Sequence, residues 1–336
     1  MWGLNNHTEY AAERAWVRDK TGHHHWVVAV KGTFEITAAG DLRLADEQLP
    51  PLMAPEYFGE PGMSSLRFDT DLVQSKGTTE VLVNAHAYAP GGRPVDSVPV
   101  QMRVGAISKT LVVHGPRVYC KGAWGLTTTA PMPFVRCPIR YEEAYGGSDM
   151  SDPDPRRQRM DPRNPVGRGV STRTADLINT AAHRVEYLQG DPSRVGPAGF
   201  GPVASYWSPR RELAGTYDAI WVKTTRPLLP ADYDERFTLC SPSDQRAPGY
   251  LHGGEPVHLV NMTPEGVLRT ALPKVGLSFV TRIKGRREQH HGRMVTVILE
   301  PDERRLMAVW HTSLRVAPTE LDHLVETNIE QRLAAS

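Results

Sequence analysis

A chain of 336 residues with 39 Lys and Arg against 38 Asp and Glu has a formal charge of +1, too little to draw a nucleic acid or an anionic membrane. It is long enough to bury a core as one large domain or two moderate ones, and no apolar run approaches the roughly 20 residues of a membrane helix. Met1–Tyr10 lacks the charged start and apolar run of a secretory signal, and Cys120, Cys137 and Cys240 are odd in number without CxxC spacing. Reduced thiols in a cytoplasmic protein are the expectation.

In Trp26–Thr37, residues Trp26, Val28, Val30, Phe34 and Ile36 share one face, while Lys31, Thr33, Glu35 and Thr37 share the other. A period of two predicts a half-buried strand. Ala39-Gly40-Asp41 turns the chain, Leu42–Leu44 returns as a hairpin arm, and Pro50, Pro51, Pro55 and Pro61 mark a long irregular segment. Alternation then predicts strands at Leu66–Val73, Glu80–Tyr88, Val98–Val104, Leu111–His114 and Val118–Lys121. Pro133–Tyr141 is strand-like, with Pro138 placing it at an edge or a bulge.

Tyr145–Gly169 is too rich in Pro, Gly and charge for a helix interior or a central strand. Arg156, Arg157, Arg159, Arg163 and Arg168 alternate with Asp149, Asp152, Asp154 and Asp161. Structureless connections this long are uncommon inside compact domains, so the stretch reads as an ordered surface on a β scaffold. Ala175–Gln189 shows helical spacing, and Thr216–Lys223 suits a short helix or a strand. A second strand series follows at Val257–Met262, Val267–Leu272, Leu277–Ile283, Met294–Leu299 and Leu306–Thr312. Thr263–Gly266 and Pro301–Arg304 are its hairpin turns. The chain is expected to close in a helix over 319–335, with Thr319 capping and Asp322 in the first turn. The expected fold is mostly β: β-rich halves at 1–144 and 210–318, sandwich- or barrel-like, around the loop region 145–209, all in one family domain.

Candidate chemistry is sparse. His23 and His25 share a strand face that suits a metal, but no ligand set completes it, and a solvated strand entrance is the simpler account. Asp149, Asp152 and Asp154 lack the glycine and terminal glutamate of a calcium loop, so pairing with neighbouring arginines accounts for them. Gly196–Gly201 matches a phosphate loop in composition only. No nucleophile elbow, HExxH or Walker motif is present, so neither a catalytic residue nor a cofactor is assigned. Trp124, Trp207, Trp221 and Trp310 read as core residues, although an exposed tryptophan would mark a partner surface.

The succession LADEQLP, SSLRFDTDL, HAYAPGGRPV, RVGAISKTL, PFVRCPIRYEEAYGG, RNPVGRG, PAGFGPV, YWSPRRELAGTYDAIW, DYDERF, GYLHGGEPVHLVNMTPEG resembles a bacterial family of type VI secretion accessory proteins with a domain of unknown function. It covers nearly all of residues 1–318 and departs at Ala175–Gln189. Gly146, Gly147, Asn164, Pro165, Gly167 and Gly169 match its motifs, glycine and proline there serving the backbone. The resemblance implies a cytoplasmic adaptor, without catalytic residues, that holds a secreted effector, often through a PAAR domain, and delivers it to the VgrG spike. In that role Arg156, Arg157, Arg159, Arg163, Asn164 and Arg168 are the expected partner contacts, with the glycine segments near Gly199 and Gly253-Gly254 beside them. The rival readings are a hydrolase or carbohydrate-active enzyme on a β-sandwich, which requires His and Asp/Glu converging in a cleft, and a structural secretion component.

Overall fold

The computed structural model describes residues 2–123 and 125–332; Trp124 and the end of the expected terminal helix lie outside the described residues. Three larger sheets carry the chain, with two-stranded ribbons beside them. Their strands are β1 (Gly3–Asn6), β2 (Ala11–Arg18), β3 (His24–Ile36), β4 (Leu42–Leu44), β5 (Glu80–Val83), β6 (Ser97–Val104), β7 (Ile107–His114), β8 (Val185–Tyr187), β9 (Pro256–Val260), β10 (Val267–Ala271), β11 (Gly276–Ile283), β12 (Arg286–His291), β13 (Arg293–Glu300), β14 (Arg305–Val316) and β15 (Leu324–Arg332). The fold is mostly β and largely antiparallel, and among the described residues no sheet closes into a barrel.

The spine sheet runs β2–β3–β14–β13–β5, with β4 on the end of β3. Its longest pairing sets β3 against β14, from His24 with Val316 to Glu35 with Arg305. The second sheet is β8–β7–β6–β9–β10 and the third β1–β15–β11–β12. Each sheet draws strands from both β-rich stretches of the sequence, so the two interleave. One continuous apolar core joins Val28, Val30 and Phe34 of β3 to Val100 and Met102 of β6 and to Phe279 of β11.

β3 is buried on both faces, not half-buried as its alternation predicts: Lys31 and Thr33 are as enclosed as the valines. The irregular segments around 45–79 and 200–250 lie over the second face, packing Leu49, Leu52, Phe68 and Cys240 onto Leu82, Ile298 and Met307. Charges caught beneath this cover are paired, as burial demands. Lys31 meets Asp71 at 3.0 Å, Arg210 meets Asp69, and Lys76 meets Glu80.

The expected terminal helix is a correction. Pro318–His323 is a 3-10 turn whose cap, Ala317, makes no side-chain bond, and Leu324–Arg332 is the strand β15. Its Val, Thr, Asn and Ile are weak helix formers, and β11 has an edge that needs a partner. Thr327 is fully buried. It accepts a bond from Trp26 Nε1 (2.8 Å) and sits 2.7 Å from the Thr281 hydroxyl, which lies 2.7 Å from His290 Nε2. His290 Nδ1 in turn is 2.7 Å from the Thr312 hydroxyl, so this buried chain ties the third sheet to the spine.

Other expectations shift more locally. Ala175–Gln189 holds a 3-10 turn, Thr174–Leu177, and the strand β8, because Val185 is needed against β7. Leu66–Val73 is strand only at Leu66–Phe68. Asn84 breaks Glu80–Tyr88 in two, its amide donating to Arg67 O, and Ala85–Tyr88 leaves to pair with Arg136–Ile139. That last pair holds Pro138 at an edge, as expected. Trp207 and Trp310 are core. Trp221 is not: it is half-buried on the short helix Ala219–Thr224, with Nε1 donating to Leu228 O, beside exposed Tyr217, Ile220 and Val222.

Candidate partner-binding surface

The Tyr145–Gly169 stretch is ordered by its own residues. Tyr145–Gly146 pairs in parallel with Arg168–Gly169 at the base, and Ser148–Asp149 pairs antiparallel with Arg159–Met160 further out. The aspartates close turns, each accepting from the backbone two residues on: Asp149 from Ser151, Asp152 from Asp154, Asp154 from Arg156 and Asp161 from Arg163. Such Asx turns mimic backbone turns and stiffen a loop without regular structure. The aspartates therefore serve the backbone first, and the arginine pairs Arg156–Asp154 (3.6 Å) and Arg157–Asp152 (4.0 Å) are loose. Asp149 accepts five bonds, from Ser151, Ser171 and Thr172, and these donors hold its carboxyl well below the ordinary carboxylate range.

Asn164 was expected on the contact surface; the structure places it beneath. It is fully buried, and its Nδ2 donates to Tyr141 O (2.8 Å) and Tyr145 O (2.9 Å). The motif glycines surround it: a Cβ on Gly146 would stand 2.2 Å from Asn164 O, and one on Gly167 2.3 Å from Asn164 Nδ2. Gly146 and Gly147 also have φ of +146° and +114°, which other residues rarely adopt. Asn164→Ala would remove the side-chain donor to Tyr145 O and one of the two donors to Tyr141 O, the other being Ala144 N, costing about 2 kcal/mol at the loop base. Tryptic cleavage after Arg156 and Arg157 should then speed up by about tenfold. An unchanged rate would mean the loop keeps its shape without this amide.

The six expected contact residues thus separate. Arg163 forks onto Asp161 and donates to Ser193 O, stapling the loop to the segment Pro192–Val195. Arg168 bonds Glu143 at 2.7 Å at the base. Arg156, Arg157 and Arg159 point outward at the tip, the first two with side chains 93% and 73% exposed. Met150 and Met160 stand exposed beside them. Arginine and methionine are enriched at the centres of protein interfaces, where a fixed guanidinium and an adaptable thioether complement each other. Gly199 lies buried under the Tyr141 ring, and Gly253-Gly254 pack on Pro273 and Lys274, so neither reaches this surface.

The histidines divide among carboxylates. His25 Nε2 is 3.0 Å and His23 Nδ1 3.7 Å from Asp19, a carboxylate the sequence reading passed over because it lies before the strand. No group of three or more His, Cys, Asp or Glu able to hold a metal occurs among the described residues. His183 and His114 converge on Glu186, with Arg117, and Ser97 Oγ is 2.8 Å from His114 Nδ1. His86 Nδ1 is 2.9 Å from Asp302, whose other oxygen accepts from Tyr88, at the wall of a 330 Å³ cleft with Arg67, Arg136 and Arg140. The contacts of His114 and Arg117 with Glu186 and of His86 with Asp302 pair residues about seventy to two hundred apart in sequence, and spacing gave no sign of them. No helix among the described residues is long and apolar enough to cross a membrane.

The family DUF2169, described as an uncharacterized protein conserved in bacteria, matches residues 21–311. The chain belongs to it. No curated protein and no solved structure matches the chain. The DUF2169 match spans the spine strands β3, β5 and β13, the whole second sheet and the arginine loop, and leaves β1 and β15 outside.

Proposed function

We propose that this DUF2169 protein is an adaptor of type VI secretion, which holds an effector, through its PAAR-type domain, and loads it onto the VgrG spike in the cytoplasm. The observation that carries the reading is the loop tip. Arg156, Arg157 and Arg159 are displayed with Met150 and Met160 on a backbone locked by Asx turns and by buried Asn164. Pre-ordering lowers the entropy cost of gripping another polypeptide, and arginine forks supply register on its carboxylates. The family resemblance of the sequence supports the secretion context.

Arg156→Glu/Arg157→Glu inverts the charge where side chains make almost no internal contact, so the fold should be unaffected. Co-purification of a bound effector should fall by about tenfold or more, since like charges would then face the carboxylates that the arginines are proposed to grip. Undiminished capture by a folded variant would remove the loop from the interface. A second reading, a hydrolase, has the His86–Asp302 pair in its favour, because a histidine oriented by a carboxylate in a cleft is a general-base arrangement. There His86→Asn would abolish hydrolysis by the wild type, whereas in an adaptor it would leave effector capture unchanged.

A further inference from the structure

Beside the loop base lies a second, larger cleft of 390 Å³, walled by Tyr141, the 195–197 and 203–213 segments and the 236–246 segment. Arg163, Arg210, Arg236 and Arg246 all line it, and no Asp or Glu does. Three of the four have a carboxylate elsewhere: Asp161 for Arg163, Asp69 for Arg210 and Asp234 for Arg236. Arg246 has none within 4 Å among the described residues; it spends Nη2 on Ser241 O (2.6 Å) and Nε on Ser241 Oγ (3.4 Å), leaving Nη1 unused. Arg210 is only 6% exposed, yet Nε and Nη1 take all its bonds and Nη2 makes none among the described residues. Burial holds the Arg246 guanidinium below its ordinary range, the sign of a cation short of a counter-charge.

These arginines are held in place before any ligand arrives. Gln245, next to Arg246, is fully buried, donating to Val81 O (2.7 Å) and Phe200 O (2.8 Å) and accepting from Lys109 (2.9 Å). Ser241 is fixed from behind by its backbone N–H, which donates to the Glu80 carboxylate (2.8 Å). The remaining wall includes the aliphatic Val195, Val203, Leu213 and Leu239 alongside prolines, serines and the Tyr141 and Tyr187 rings. Unspent guanidinium nitrogens beside an aliphatic wall suit an anion carried on an apolar body, and a cleft this size takes two or three residues of a chain or a small organic acid.

We propose that this cleft is a receptor for a carboxylate on an aliphatic body, with Arg246 and Arg210 taking the carboxylate and the Leu213–Leu239 wall taking the body. The chemistry is shared by the C-terminus of a polypeptide ending in an aliphatic residue and by a free branched-chain acid. It does not depend on the arginine loop tip. Titration calorimetry of the full chain with N-acetyl-Val-Leu as free acid, its C-terminal amide, isovalerate and inorganic phosphate separates the cases. The free acid should bind at least about tenfold more tightly than the amide, and Arg246→Gln should remove that difference. Isovalerate binding as tightly as the dipeptide acid assigns the site to small acids; its failure beside a binding dipeptide assigns it to chain ends. Equal binding of acid and amide, tighter binding of phosphate, or no binding by any probe overturns the proposal. Should Arg246→Gln fail to fold, Leu213→Glu, which sets a competing carboxylate in the wall, must abolish binding. Arg156→Glu/Arg157→Glu must leave all four titrations unchanged, which keeps a failed cleft distinct from a failed adaptor surface.

Discussion

Replacing Lys76 by methionine should lower the unfolding free energy by about 3–5 kcal/mol at neutral pH, the usual cost of leaving one member of a buried ion pair alone. Lys76 and Glu80 are 4% and 0% exposed. Glu80 accepts from the Lys76 ammonium and from Ser241 N, and Lys76 also donates to Thr296 on β13 (2.9 Å). The pair therefore clamps the irregular segment before β5 and the 240s segment onto the spine sheet. The Lys76 charge and its hydrogen bond hold the Glu80 carboxyl below its ordinary range against the cost of burial. That folded-state depression stabilises the protein above the ordinary glutamate range and is lost as pH falls through the folded value. Without Lys76, Glu80 must take up a proton or carry a bare buried charge. Urea midpoints measure the loss, and Lys76→Met/Glu80→Leu should recover part of it, because an apolar pair of similar volume has no charge to desolvate. A loss under about 1 kcal/mol for Lys76→Met would show that the pair does not hold the cover in place.

Stability should also fall between pH 6.5 and pH 4.5, before most carboxylates of the unfolded chain titrate. Burial lowers both His290 and His311 to about 4 in the folded protein. His290 is held neutral between the Thr281 and Thr312 hydroxyls, and His311 lies in the spine beside the Lys76 charge. An imidazole whose folded value is depressed is protonated first in the unfolded chain. Its contribution is complete above 6.5 and drains away as pH falls toward 4. Over two pH units each histidine gives up about 2–3 kcal/mol, which together is a large share of a domain's stability. Denaturant melts across this range should show the decline, and His290→Gln, which keeps neutral bonding atoms, should flatten it by about half. A flat profile in the wild type would mean that both rings take up a proton as readily in the folded as in the unfolded chain.

The site divides along the same line as these predictions, between what is local and what is not. Arg156, Arg157 and Arg159 are legible because Pro, Gly and alternating charge forbid a helix or a central strand, and a long charged loop must find its order at the surface. Asn164 is legible as a motif but not as a buried one, since its partners are carbonyls of Tyr141 and Tyr145 about twenty residues back. The cleft arginines are harder still. Arg163, Arg210, Arg236 and Arg246 spread over more than eighty residues, and only the packing of four irregular segments sets them around one space.

For the fold, period-two alternation and turn chemistry in the sequence alone determined that the chain is mostly β, with a strand at Trp26–Thr37 and hairpin turns at Thr263–Gly266 and Pro301–Arg304, because those signals act over neighbouring residues. Tertiary structure decided the rest. It buried the polar face of β3 by laying irregular segments over Lys31, and it split Glu80–Tyr88 at Asn84. It also drew Leu324–Arg332 out as a strand, since the open edge of β11 and the Trp26–Thr327 bond reward extension where the local spacing pointed to a helix.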